Sequence, residues 1–119
     1  MVQTLMLHPA WEKTIDPNDL SQIQQLLQQE PDQRFIPYRQ AFNHRDDLLV
    51  TVIVQNRSEH PEEWEGRPLA YVEKGQTIAE KNFSIHTLPP FTSMPWTFIF
   101  EKGLLNGQSE LRGLLIENI

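Results

Sequence analysis

The chain has 119 residues, three Trp, no Cys and a net charge of −6. That length suits one domain with a self-sufficient core, and the lack of Cys removes disulfides, thiolate nucleophiles and Cys-based zinc sites. An acidic surface repels phosphate backbones and anionic bilayers, so neither nucleic acid nor a membrane surface is the expected partner.

No apolar run approaches the roughly 20 residues of a membrane-spanning helix. The opening Met1–His8 has neither a basic start nor a long apolar stretch, so it does not read as a secretion signal. The expected setting is cytoplasmic, with the cell surface as the alternative if a leader has been removed.

Leu5 and Leu7 have strand spacing, and Pro9 ends that pattern, so residues 1–15 read as an edge strand or ordered arm anchored by Trp11. Asp16-Pro17-Asn18-Asp19 is a helix start, because Asp16 can accept from free amides and Pro17 suits the first helical position. Leu20, Ile23, Leu26 and Leu27 recur at helical spacing up to Pro31. This spacing predicts one amphipathic helix over about 16–30.

Phe35, Tyr38 and Phe42 mark a first strand over about 34–42, and the polar Asn43–Asp47 reads as a turn. Leu48 to Asn56 is the longest β-branched run. It predicts a central strand over 47–56 with two apolar faces, so the helix should cover one of them. Residues 56–68 read as a long acidic connection whose one large apolar residue is Trp64.

Two strands, 68–73 and 76–86, flank Glu73-Lys74-Gly75-Gln76 as a hairpin. A Pro-rich crossing, Leu88–Pro95, leads to a strand over 95–101 with Trp96, Phe98 and Phe100 in phase as core. A Gly-containing turn and a closing strand over 110–117 complete the chain. The expected fold is mainly β: an immunoglobulin-like antiparallel β-sandwich with one N-terminal amphipathic α-helix.

The four His, at 8, 44, 60 and 86, show no metal-ligand spacing and read as surface residues. Ser58 and Ser84 lie near His in sequence, but no nucleophile elbow or Gly-rich phosphate loop occurs. The carboxylates at 59–65 share one polar segment, so no pair is set apart for acid–base chemistry. No catalytic residue, metal site or cofactor is expected, and the chain reads as a nonenzyme. The candidate partner-binding residues are Glu62, Glu63, Trp64, Glu65 and Tyr71, with Trp64 the best candidate for an exposed recognition aromatic in an acidic setting.

Three stretches in order, Leu7-His8-Pro9-Ala10-Trp11-Glu12, Leu48–Asn56 and Pro89–Phe100, resemble the SLAP domain of the accessory Sec system in Gram-positive bacteria. Gln55 stands where that pattern has Arg, and Glu73-Lys74-Gly75 where Asp-x-Gly is usual. The resemblance implies a noncatalytic protein-interaction or assembly module of a Bacillus-type bacterium, accessory to protein export or S-layer assembly. Its partner would be a secretion component or surface protein. The alternative is a carbohydrate- or wall-binding sandwich using Trp64 and Tyr71. The sequence leaves the oligomeric state open.

Overall fold

A computed structural model of the chain describes residues 3–29 and 31–117. In chain order the elements are β1 (Thr4–Leu5), α1 (Pro9–Thr14), α2 (Pro17–Gln28), β2 (Phe35–Phe42), β3 (Leu48–Asn56), β4 (Glu62–Glu73), β5 (Gln76–Leu88), β6 (Thr92–Phe100), a 3₁₀ turn (Lys102–Leu104) and β7 (Leu114–Glu117). The expected helix end at Glu30 lies outside the described residues.

The fold is mainly β, with two sheets in a sandwich-like arrangement. One sheet has the order β1-β6-β3-β2 and the other β5-β4-β7. β4 and β7 are antiparallel, with Tyr71 opposite Leu115 and Val72 opposite Leu114. The expectation of a wholly antiparallel sandwich is corrected at one edge, where β1 runs parallel to β6 with Thr4 opposite Thr92.

The chain divides into two compact units. One takes the chain up to Tyr38 with Val52–Glu63 and His86–Trp96; the other takes Arg39–Thr51, Trp64–Ile85 and Thr97 onward. In the first, Ile23 of α2 packs with Ile36 of β2 and Ile53 of β3, and Leu5, Ile15, Leu26, Leu27 and Tyr38 close around them. Asp16 caps α2 by accepting from the Asn18 N–H at 2.7 Å, and the Tyr38 hydroxyl donates to Asp19 at 2.6 Å. In the second unit, Trp64 of β4 and Phe83 of β5 meet Phe98 of β6 at 6.0 and 4.9 Å between ring centroids. Phe83 also meets Phe100, edge to face, at 5.2 Å. Such aromatic pairs bury large apolar areas and favour tilted or edge-on geometry.

Three local expectations change. Pro9 starts a helix, with His8 as its cap, where a strand end was expected. A Pro in the first helical position has no N–H to waste and a pre-set φ. The acidic connection expected over 56–68 is strand from Glu62 onward, so β4 begins six residues before the expected start at 68. Trp64 supplies its buried side while Glu63 and Glu65 face water. Inward positions then switch from even (Trp64) to odd (Leu69, Tyr71, Glu73) across Gly66, whose φ is +59°. That one-residue slip at a left-handed Gly has the character of a β-bulge. Finally, Trp96 is half-buried and meets His8 at 5.2 Å, whereas Phe98 and Phe100 are fully buried.

The hairpin joining β4 and β5 turns on Lys74 (φ +50°) and Gly75 (φ +76°). Positive φ at both central residues matches the twist of the strands they join. Gly is free there and Lys74 adopts the left-handed conformation that Asn or Asp would take more readily.

Candidate functional site

The residues singled out in sequence separate into surface acids and buried rings. Glu63 and Glu65 are exposed on β4. Glu62 is half-buried, and its Oε1 lies 2.6 Å from the Arg34 guanidinium. Trp64 is only 3% exposed. Its indole packs on Phe98, and the Arg67 guanidinium lies 5.0 Å from the ring centroid. Tyr71 is fully buried. The expectation of Trp64 as an exposed recognition aromatic, and of a sugar platform on Trp64 and Tyr71, is corrected on this ground: neither ring has a face open to a ligand. The inward phase of β4 puts both in the core.

Tyr71 anchors a polar network. Its hydroxyl donates to Gln40 Oε1 at 2.8 Å and accepts from the Gly113 N–H at 3.0 Å. Gln40 Nε2 donates to the Gly113 carbonyl at 2.7 Å and its Oε1 accepts from the Gly113 N–H at 3.2 Å, so one amide side chain serves both backbone groups of that residue. Gly113 is obligatory for a steric reason, since a Cβ there would lie 2.4 Å from Tyr71 Cζ. Glu73 is also buried; its carboxylate accepts from the Ser109 hydroxyl and from the Glu110 N–H at 2.9 Å. Burial pushes the Tyr71 phenol above its ordinary pKa, more than the bonds from Ser109 and Gly113 lower it. Burial also pushes the Glu73 carboxyl up, but the bonds from Ser109 and Glu110 leave it below the usual carboxylate value. These groups hold the 109–113 segment against β4 in their resting protonation states.

A shallow cavity of about 570 Å³ lies beside this segment, lined by Phe42, Asp46, Lys102, Leu105, Gln108 and Ser109. Three of its polar groups, Asp46, Lys102 and Ser109, are engaged locally. The Lys102 ammonium lies 3.8 Å from Asp46, and Ser109 donates to Glu73.

The stretch Leu48–Asn56 ends in two buried amides that act as hubs. Gln55 Nε2 donates to the carbonyls of Pro31 and Gln33 at 2.9 and 2.8 Å, and its Oε1 accepts from the Ser93 hydroxyl at 2.9 Å. Asn56 Nδ2 donates to the carbonyls of His60, Leu88 and Pro89 at 2.8–3.1 Å. Its Oδ1 accepts from the N–H and hydroxyl of Ser58. His8 also works structurally: Nδ1 accepts from the Ala10 N–H at 3.1 Å. Its ring lies 5.1 Å from that of His86 and 5.2 Å from that of Trp96. Sequence spacing could not bring His8 and His86 together. Among the described residues, no group of three or more His, Cys, Asp or Glu is placed to hold a metal ion.

β5 closes one end of its sheet over 13 residues. From Glu80 to His86 its exposure alternates strictly: Glu80, Asn82, Ser84 and His86 are exposed, and Lys81, Phe83 and Ile85 are half-buried. Phe83 is pinned between Phe98 and Phe100. Lys81 donates to the Ile99 carbonyl at 3.1 Å and to Glu101 at 2.5 Å, and that bond first of all lowers the Glu101 pKa. The Gly66 N–H at the bulge donates to Ser84 Oγ at 2.8 Å. Side-chain contacts thus hold this stretch of β5, and at Ile78 its backbone carbonyl accepts from the Asn106 N–H at 2.7 Å. The polar-apolar alternation at 80–86 was the sequence signal for it.

Fold and surface together define a small mainly-β module of two sheets whose distinctive polar groups are spent on internal structure. The chain belongs to the SLAP domain family, whose model matches residues 5–112. No curated protein and no solved structure matches it. No helix among the described residues is long and apolar enough to cross a membrane.

Proposed function

We propose that this chain is a noncatalytic interaction module, accessory to protein export or S-layer assembly in a Gram-positive, Bacillus-type bacterium, acting on the cytoplasmic side of the export path. The observation that carries this reading is the family match over residues 5–112. The sandwich is read as immunoglobulin-like in outline. Its mode of recognition is strand addition: an extended segment pairs with the backbone of an edge strand, and pockets for alternate side chains give selectivity. The long edge of β5 supports this, being more than twice the mean strand length of about 5–6 residues. The spending of Tyr71, Glu73, Ser109 and Gln40 on the 109–113 segment supports a structural use for the most perturbed groups, where an enzyme would leave them facing a substrate.

The test is affinity capture from a lysate of a bacterium that carries an accessory secretion ATPase, using the full chain as bait, with captured proteins identified by mass spectrometry. Recovery of a secretion component or a surface-protein precursor is expected. Capture should fall when Ser84→Pro disrupts the β5 edge. Recovery of neither class would overturn the export reading.

A further inference from the structure

We propose that the cavity beside the 109–113 segment binds a free aromatic amino acid, with its ring on Phe42 and its two head-group charges on Asp46 and Lys102. The site lies wholly within the second compact unit and is lined by no residue of β5. It therefore goes beyond the reading of the chain as an export module.

Two segments distant in sequence form the walls. One is the turn after β2, where Asn43 Oδ1 accepts from the N–H groups of Arg45 and Asp47 at 2.9 and 3.0 Å. The other is the loop after β6, where the Leu104 and Leu105 N–H groups donate to the Glu101 and Lys102 carbonyls. The Asn106 N–H, donating to Ile78, fastens that loop to the sheet. The Lys102 N–H donates to Asp47 Oδ1 at 2.9 Å and ties one wall to the other across 55 residues of sequence. The walls are thus fixed before a ligand arrives, and little ordering is lost on binding.

The cavity volume of about 570 Å³ falls within the roughly 300–1,000 Å³ of small-ligand sites. Phe42 is 40% exposed, the one Phe, Tyr or Trp among the described residues that is more than half-buried or buried in class. Among those residues no other ring and no cation meets it, and the Gln108 amide has no hydrogen-bond partner. Leu105 is half-buried and extends the apolar wall.

The rim carries one charge of each sign. Asp46 Oδ2 and Lys102 Nζ lie 3.8 Å apart, beyond hydrogen-bond length, on side chains 72% and 70% exposed. Exposed pairs of this kind hold together weakly. The neighbouring acids are spent: Asp47 accepts from Lys102 and Asn43, and Glu101 accepts from Lys81. An α-amino acid carries an ammonium and a carboxylate on one carbon, so it is the charge complement of this rim, ammonium to Asp46 and carboxylate to Lys102. A ligand with a single charge would satisfy one rim group and strand the other. An aromatic side chain on the same carbon then packs on Phe42 and Leu105, rings favouring offset or edge-on contact.

The test is titration of the isotope-labelled full chain with L-phenylalanine to about 10 mM, followed by amide NMR. Shifts confined to residues 42–47 and 102–109, and saturating with ligand, are expected. N-acetylphenylalanine lacks the ammonium and phenylalaninamide lacks the carboxylate, so each should bind about ten-fold more weakly. Glycine, which lacks the ring, should give no saturating shift. Asp46 sits at φ +62°, a conformation Asn also adopts readily. Asp46→Asn should erase the preference over N-acetylphenylalanine and keep that over phenylalaninamide; Lys102→Gln should do the reverse. The series of ligands on the natural chain decides the matter even where a variant folds poorly. No saturating shift up to about 10 mM, equal binding of the three phenylalanine compounds, or shifts centred outside the cavity would overturn the proposal. Capture of an export component is a separate measurement and stands or falls without it.

Discussion

Asn56 offers a sharp test of the reasoning, because one side chain serves both as donor hub and as acceptor hub. Asn56→Asp keeps the oxygen that accepts from Ser58 and replaces the nitrogen that donates to His60, Leu88 and Pro89. The His60 and Pro89 residues are exposed, so water can reach their carbonyls, whereas the bond to Leu88 is buried. Asn56→Ala leaves that one buried acceptor unmet and opens a small void, so it should destabilise by about 2–3 kcal/mol. Asn56→Asp adds a carboxylate facing carbonyl lone pairs in a site 2% exposed, and about 4 kcal/mol is expected near neutral pH. Against a total stability on the order of 10 kcal/mol, both effects are large. The assay is urea unfolding of natural and variant chains between pH 4 and 8. The folded state raises the pKa of the new carboxyl above its unfolded value, so the Asp penalty relative to the natural chain should shrink as pH falls. A protonated carboxyl regains one donor. An Asp variant within about 1 kcal/mol of the natural chain at neutral pH, or a penalty flat with pH, would refute the donor-hub account.

Gly113→Ala drives a methyl into the Tyr71 ring and disturbs two bonds to Gln40; thermal unfolding should show a loss of about 3 kcal/mol, partly recovered in combination with Tyr71→Leu. Glu73 has a folded pKa below its ordinary value, so its contribution is fully present above the unfolded carboxylate range and lost as pH falls through the lower folded value. The stability difference between the natural chain and Glu73→Gln should therefore be greatest near neutrality and vanish in acid, and a difference constant with pH would contradict this.

Much of the frame was legible because local signals agreed with the fold. The cap and spacing at Asp16–Leu27 mark α2, the β-branched run marks β3, and Lys74-Gly75 marks the hairpin. The misread segments are those where one signal outvoted another. Glu62, Glu63, Glu65, Gly66 and Pro68 belong to types depleted in strands, so the first half of β4 looked like a loop. A single Trp among them gives no period to detect. The bulge at Gly66 then breaks the phase that would have linked Trp64 to Tyr71 as buried neighbours. Pro9 carries two opposite meanings, strand end and helix start, and only the His8 cap decides between them. The cluster of His8, His86 and Trp96 depends on pairing distant strands, which no window of sequence contains.

The same contrast bears on what the family match transfers. In the matching stretches, His8 caps a helix, Asn56 ties three carbonyls, and Thr97 shares a hydrogen bond with Thr51 at 2.8 Å. Each of these side chains is consumed by the fold. A pattern built on such residues identifies the scaffold and is silent on the surface it presents. Gln55 is consumed in the same way: its amide donates to two carbonyls while accepting from Ser93, and Arg34 reaches the Gln55 carbonyl at 2.6 Å from a neighbouring segment. A guanidinium has donors only and could not accept the Ser93 bond, so the amide at position 55 meets both demands.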